Sequence, residues 1–176
     1  MKRIFGAAIL TTLMACSQAE QKSTEAKDSI KAEAASAKSQ VSMKDQKKLE
    51  IFTNYVDLKN ALVKSDAVNA KKTAAVLKNS LAAYEGCEPT AEIAQKIASS
   101  NNLDVQRKDF TALSADIIAL LKNAEIEKGT IYVQHCPMAN KGDGGDWLST
   151  EKEIKNPYYG KEMLECGRVA EEIKAK

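Results

Sequence analysis

The chain has a single histidine among its 176 residues. With no second imidazole, and no Asp or Asn partner identifiable from spacing, His135 offers little for a Ser/His/Asp or Cys/His mechanism. Four cysteines are present but none forms a Cys-x-x-Cys, so the common thiol-exchange motif is missing. No glycine pattern follows a strand and opens a helix, which sets nucleotide sites aside. Gly142-Asp143-Gly144-Gly145-Asp146 lacks the carboxylate spacing and final Glu of a calcium loop and reads as a surface loop. Charge of one sign is also missing. Removal of an N-terminal leader carrying Lys2 and Arg3 takes the 26 Lys and Arg to 24, against 24 Asp and Glu. No basic excess and no aromatics on a basic stripe remain to bind nucleic acid. These absences point away from an enzyme.

The N-terminus reads as an export signal. Lys2 and Arg3 precede a short, mostly apolar run at residues 4–14, too short to span a bilayer as a mature helix. The run ends Leu13-Met14-Ala15-Cys16. A small residue directly before a cysteine at this place is the lipobox of bacterial lipoproteins. The expected processing removes residues 1–15 and acylates the Cys16 thiol and the new amine. Two or three acyl chains anchor stably, since each buried methylene contributes about 0.8 kcal/mol. An ordinary secretory signal with an incidental cysteine is the plainer alternative. Ser17, not Asp, follows Cys16, so nothing argues for inner-membrane retention. The expected location is the bacterial cell envelope, lipid-anchored in the outer membrane and facing the periplasm. Residues 17–44 are Ser, Ala, Lys, Glu and Gln with almost no large apolar residue, and cannot offset their ordering entropy by burial. Residues 16–44 are therefore expected to be a lipidated cysteine and a flexible tether, and residues 45–176 one folded domain.

That domain opens with three apolar stripes at helical spacing. Ile51, Tyr55, Leu58 and Leu62 share one face. Ala70, Ala74, Leu77, Leu81 and Tyr84 share a second. Phe110, Leu113, Ile117, Leu120 and Ala124 share a third. These are core residues, and the lysines between them form a solvated face. Asp66 is a candidate N-cap. Residues 90–99 suggest a short extra helix capped by Thr90, and Asn101-Asn102 breaks before the third stripe. Short connections favour antiparallel neighbours. The expected fold is mainly α: an antiparallel up-down bundle of three main helices and a short one, with a small C-terminal β/loop cap. In that cap, residues 130–135 alternate as a short strand. Thr150-x-x-Glu153 is a capping-box pattern that opens a helical turn, and Asn156-Pro157 stops it. Residues 163–173 suit a second strand or a final helix.

Residues 132–167 concentrate what the rest of the chain lacks: His135, Trp147, two of the three prolines, two cysteines and two methionines. Cys136 and Met138 flank Pro137, and in extended backbone such a pair shares a face. Met163 and Cys166 are three apart and share a face on a helical turn. If the two segments pair, two thiolates and two thioethers converge. Such a set suits Cu(I) or Ag(I) and suits Mg²⁺ or Ca²⁺ badly. His135, pointing away from Cys136 in a strict strand, is a second-rank ligand. The order Cys136-Pro137-Met138, Trp147-Leu148-Ser149, Asn156-Pro157-Tyr158-x-Gly160 and Met163-Leu164-x-Cys166-Gly167 resembles a bacterial domain family of unknown function. That family occurs in small exported lipoproteins and at the C-terminal end of some copper and silver efflux adaptor proteins. The resemblance extends over most of residues 45–170, and Cys87 matches no position in it. It implies metal handling in the periplasm, with an efflux adaptor or a metallochaperone as partner, and supplies no ligand set.

The same cysteines have a second reading. The compartment is oxidising, and a Cys136–Cys166 bridge closing a loop of about 30 residues contributes roughly 3–4 kcal/mol in the chain-entropy model. Met138 and Met163 are then core filler, and the chain is a disulfide-stapled structural or interaction lipoprotein without metal. A thiol-redox function would use the same pair. The metal and disulfide readings are compatible, because a reducible disulfide can gate a metal site.

Overall fold

The computed structural model describes residues 41–175. The expected leader, the acylated Cys16 and the tether up to residue 40 lie outside the described residues. Four helices make up about half of what is described: α1 (Gln46–Val63), α2 (Ala67–Ala82), α3 (Glu88–Ser99) and α4 (Leu103–Leu121). Each start has a local cause. Asp45 Oδ1 accepts from the Lys47 and Lys48 amides at 2.9 and 3.1 Å, and its other oxygen accepts from Tyr84 Oη. Asp66 caps α2 through the Asn69 amide, and Asn102 caps α4 through the Asp104 and Val105 amides. The expected Thr90 cap is not used. Pro89 in the first turn has its φ preset for helix, so α3 begins at Glu88. Thr90 is then inside the helix, and its hydroxyl donates to Asp116 Oδ2 on α4 at 3.0 Å.

The three stripes form the core. Ile51, Tyr55, Leu58, Leu62, Ala70, Ala74, Leu77, Leu81, Phe110, Leu113 and Ile117 are fully buried, and each large side chain among them contributes about 1.5–3 kcal/mol on burial. Tyr84 and Ala124 fall beyond the ends of α2 and α4 and are partly buried. Consecutive helices pack against each other, and α4 also packs against a strand of the C-terminal sheet. One lysine departs from the solvated face expected for it: Lys59 is buried within α1.

Five strands complete the fold of the described residues. β1 (Ser42–Met43) pairs antiparallel with β2 (Ile126–Lys128). The tether expected through residue 44 therefore ends earlier. Val41 and Met43 are buried, and the Lys44 amide donates to Glu125 O at 3.1 Å. β3 (Thr130–Cys136) is the middle of a second antiparallel sheet, between β4 (Gly145–Ser149) and β5 (Arg168–Lys174). The expected strand at residues 130–135 is present, and the last segment is a strand rather than a helix. The helical turn expected from Thr150-x-x-Glu153 is absent. The buried Gln134 amide donates to the Glu151, Lys152 and Glu153 carbonyls and holds them in a bend, and Pro157 follows too soon for a helix to start.

Candidate functional site

Cys136 ends β3 and is fully buried. Its antiparallel partner on β4 is Gly145, where the Tyr158 ring occupies the place a side chain would take. Cys166 lies just before β5, half-buried, in a turn closed by its own amide donating to Met163 O at 3.1 Å. The strand entry and the end of that turn bring the two sulfurs to 2.8 Å, and both thiols are free. The hydrogen bond to Cys136, and then burial, raise the Cys166 pKa.

Other chain segments hold this pair in place. Gly167 has φ +147°, and a Cβ there would sit 2.8 Å from His135 O and 3.0 Å from Trp147 Cη2. Only a glycine lets the chain leave Cys166 this close to β3. Trp147 is fully buried on β4 and meets Tyr158 edge-on, with ring centroids 6.1 Å apart. Tyr158 in turn meets Phe110 of α4 at 5.8 Å. Tyr55 of α1 reaches the sheet as well. Its hydroxyl accepts from the Leu148 amide at 3.2 Å and shares a 2.7 Å hydrogen bond with Ser114 of α4. Arg107 joins α4 to the Asn156-Pro157 turn, donating to Pro157 O at 2.9 Å and to Ser65 Oγ at 2.9 Å. The helices are thus the platform on which the thiol-bearing sheet sits.

The other expected donors divide. Met163 shares the hydrogen-bonded turn with Cys166 and is half-buried. Met138 is not on the face expected for it. Its backbone is right-handed helical (φ −90°, ψ −10°), in the turn after β3, and its side chain is exposed. Extended geometry therefore stops at Cys136, and the shared face of Cys136 and Met138 is lost. His135 is half-buried, with Nδ1 2.8 Å from Asp146 Oδ1 across the β3–β4 pair. That carboxylate fixes the ring and leaves Nε2 as the free nitrogen. Cys87 is a separate free thiol, buried at the start of α3, where burial raises its pKa.

Among the described residues, no three His, Cys, Asp or Glu side chains converge to hold a metal ion. A two-thiol set completed by thioethers is of another kind and remains chemically suited to a soft ion. Two sulfurs each about 2.3 Å from a tetrahedral metal lie about 3.8 Å apart. The 2.8 Å separation is shorter, so a shared ion requires the pair to open by about 1 Å. Cys166, on a turn and half-exposed, is the side able to move.

The residues that sequence reasoning passed over are Asn156, Tyr158 and Gly145. Asn156 is fully buried, donates through Nδ2 to Cys166 O at 2.9 Å and accepts at Oδ1 from the Tyr158 amide at 2.8 Å. The signal for Asn156 and Tyr158 was the Asn-Pro-Tyr run, which reads as a turn and as part of the family resemblance; Gly145 lies in the run that reads as a surface loop.

Fold and site together define a mainly α domain with small antiparallel sheets toward its C-terminus and a paired thiol at the end of one of them. Residues 51–129 of this chain match the model of a domain family described as protein of unknown function (DUF3347). The matched segment begins within α1, takes in the remaining helices and β2, and ends before β3. No curated protein and no solved structure matches the chain.

Proposed function

We propose that the chain is a non-enzymatic, membrane-tethered periplasmic domain that binds or passes on a soft metal ion, Cu(I) before Ag(I), in heavy-metal efflux or resistance. The helices form an up-and-down bundle that serves as scaffold. Cys136 and Cys166 are the principal ligands and Met163 supplies a thioether; Met138, exposed in the turn after β3, supplies a second only by folding back toward Cys136, and His135 is held in reserve by Asp146. The observation that carries the reading is the meeting of two free thiols from positions 30 residues apart, 2.8 Å from each other. Support also comes from chemistry. Thiolate and thioether donors select soft ions, and Met163 rides on the same turn as Cys166. The motif order that resembles exported lipoproteins and copper or silver efflux adaptors suggests an efflux adaptor or metallochaperone as partner, and Cys16 as the lipid anchor. Titration of anaerobically reduced protein against a Cu(I)-buffering chromophore tests the reading, with the Cys136→Ser, Cys166→Ser double variant as reference.

A second reading is favoured by the same distance. Sulfurs at 2.8 Å are closer to bridging each other than to bridging an ion. In this reading the pair forms a disulfide that staples the cap, and the domain is a structural or interaction lipoprotein. Thiol counting on protein recovered from the periplasm separates the two. Free thiols protected by Cu(I) favour the metal, and a bridge resistant to mild reductant favours the staple.

A further inference from the structure

The Asn-Pro-Tyr turn touches both ends of the thiol pair. At one end Asn156 Nδ2 donates to Cys166 O at 2.9 Å, and the Asn156 amide donates to Leu164 O at 2.8 Å. At the other end the Tyr158 hydroxyl donates to Asp146 O at 2.8 Å. Its ring covers Gly145, the residue paired with Cys136. A Cβ on Gly145 would sit 2.6 Å from Tyr158 Cε2. The two ends are tied together where Asn156 Oδ1 accepts from the Tyr158 amide at 2.8 Å.

We propose that Asn156 is a positioning residue for the dithiol, fixing the Cys166 backbone against the strand end that carries Cys136. The proposal rests on the dithiol reading above but not on the identity of any metal. Cys166 is half-exposed, its amide is tied only within its own turn to Met163 O, and the Asn156 bond is the side-chain contact that ties its carbonyl to the Asn-Pro-Tyr turn. The Asn156 side chain is fully buried with both polar atoms engaged, and in such surroundings a lost donor leaves the Cys166 carbonyl unpaired. Two thiols react with one partner atom in proportion to how well they are held together. Asn156 therefore tunes that readiness without touching either sulfur.

The thiol–disulfide equilibrium reads this directly. One oxidised glutathione takes up two electrons and two protons and leaves as two reduced glutathiones. The protein exchanges two S–H bonds at Cys136 and Cys166 for one S–S bond. Asn156→Asp keeps the shape and removes the donor, and Asn156→Ala removes both partners. Both are expected to lower the equilibrium constant for the bridge at least about tenfold, equivalent to about 30 mV for two electrons. Gln106→Ala is the control for general destabilisation. Gln106 is buried on α4 and bonds Ala67 O and Ser100 O among the helices; its loss should leave the thiol equilibrium unchanged. The proposal is overturned if the Asn156 variants shift the equilibrium no more than Gln106→Ala does. If the Asn156 variants do not fold, Tyr158→Phe, which removes one hydroxyl, decides: a shift in the same direction supports the clamp, and none overturns it. A wild type that bridges with glutathione but fails to bind Cu(I) ends the metal reading and leaves this one standing.

Discussion

At the scale of single residues, Lys59 shows how tertiary packing overrides a helical pattern. It lies between the apolar positions of α1, where solvent was expected, yet only 3% of it is exposed. Burial lowers its pKa to about 8, with Glu151 opposing the shift and Lys155 adding to it. The sign follows from proton counting. Between about pH 8 and the ordinary value of 10.5 the unfolded chain binds more protons than the folded one, so stability rises with pH across that window. At pH 7 the full cost of the buried charge is present. Lys59→Met should stabilise the protein at pH 7 by about 1–3 kcal/mol and flatten the rise above pH 8. Urea melts at pH 7 and pH 10 check both; a destabilised variant at pH 7 would be the contrary result. The thiol pair was legible in the sequence, because rare residue types clustered in a plain helical chain. The placing of Met138 was not, because proline restrains itself and the residue before it, leaving the residue after it free to turn. Asn156 was read as turn chemistry, since its bond to Cys166 depends on a contact ten residues away.

At the scale of elements, the helices were readable and the short strands were not. α1, α2 and α4 each run for 16 residues or more, enough turns for a 3.6-residue period to stand out, and Asp66 marks a start. β1, β2 and β4 have two, three and five residues, too few for alternation to register. The false helical turn at residues 150–153 came from a local capping pattern that a buried glutamine overrides. β1 gives the element-scale prediction. A chain beginning at residue 45 lacks Val41 and the fully buried Met43 and leaves Ile126 without its strand partner. Compared with a chain beginning at residue 41, it should be less stable by about 2–4 kcal/mol with unchanged far-ultraviolet helical signal. Equal denaturation midpoints would show that β1 contributes nothing.

At the scale of the whole molecule, the account joins an anchor, a helical platform and a sulfur pair. Most of the helical platform lies in the matched segment at residues 51–129, whereas Cys136 and Cys166 lie beyond it, so the functional reading stands on geometry and chemistry. For the anchor, Cys16→Ser should release the protein from membranes or block its processing, read by fractionation and intact mass; an unchanged mass and distribution would remove the tether from the account. For the sulfur pair, reduced wild type should bind about one Cu(I), with thiolates contributing more than thioethers because they carry charge. Met138→Leu and Met163→Leu should weaken binding by less than either cysteine change and leave the fold intact, since the swaps nearly conserve volume. The deciding measurement is competition of anaerobically reduced protein with a Cu(I)-buffering chromophore. Wild type is predicted to outcompete the Cys136→Ser, Cys166→Ser variant by at least about tenfold, or about 1.4 kcal/mol; equal competition by the two proteins would contradict the metal site.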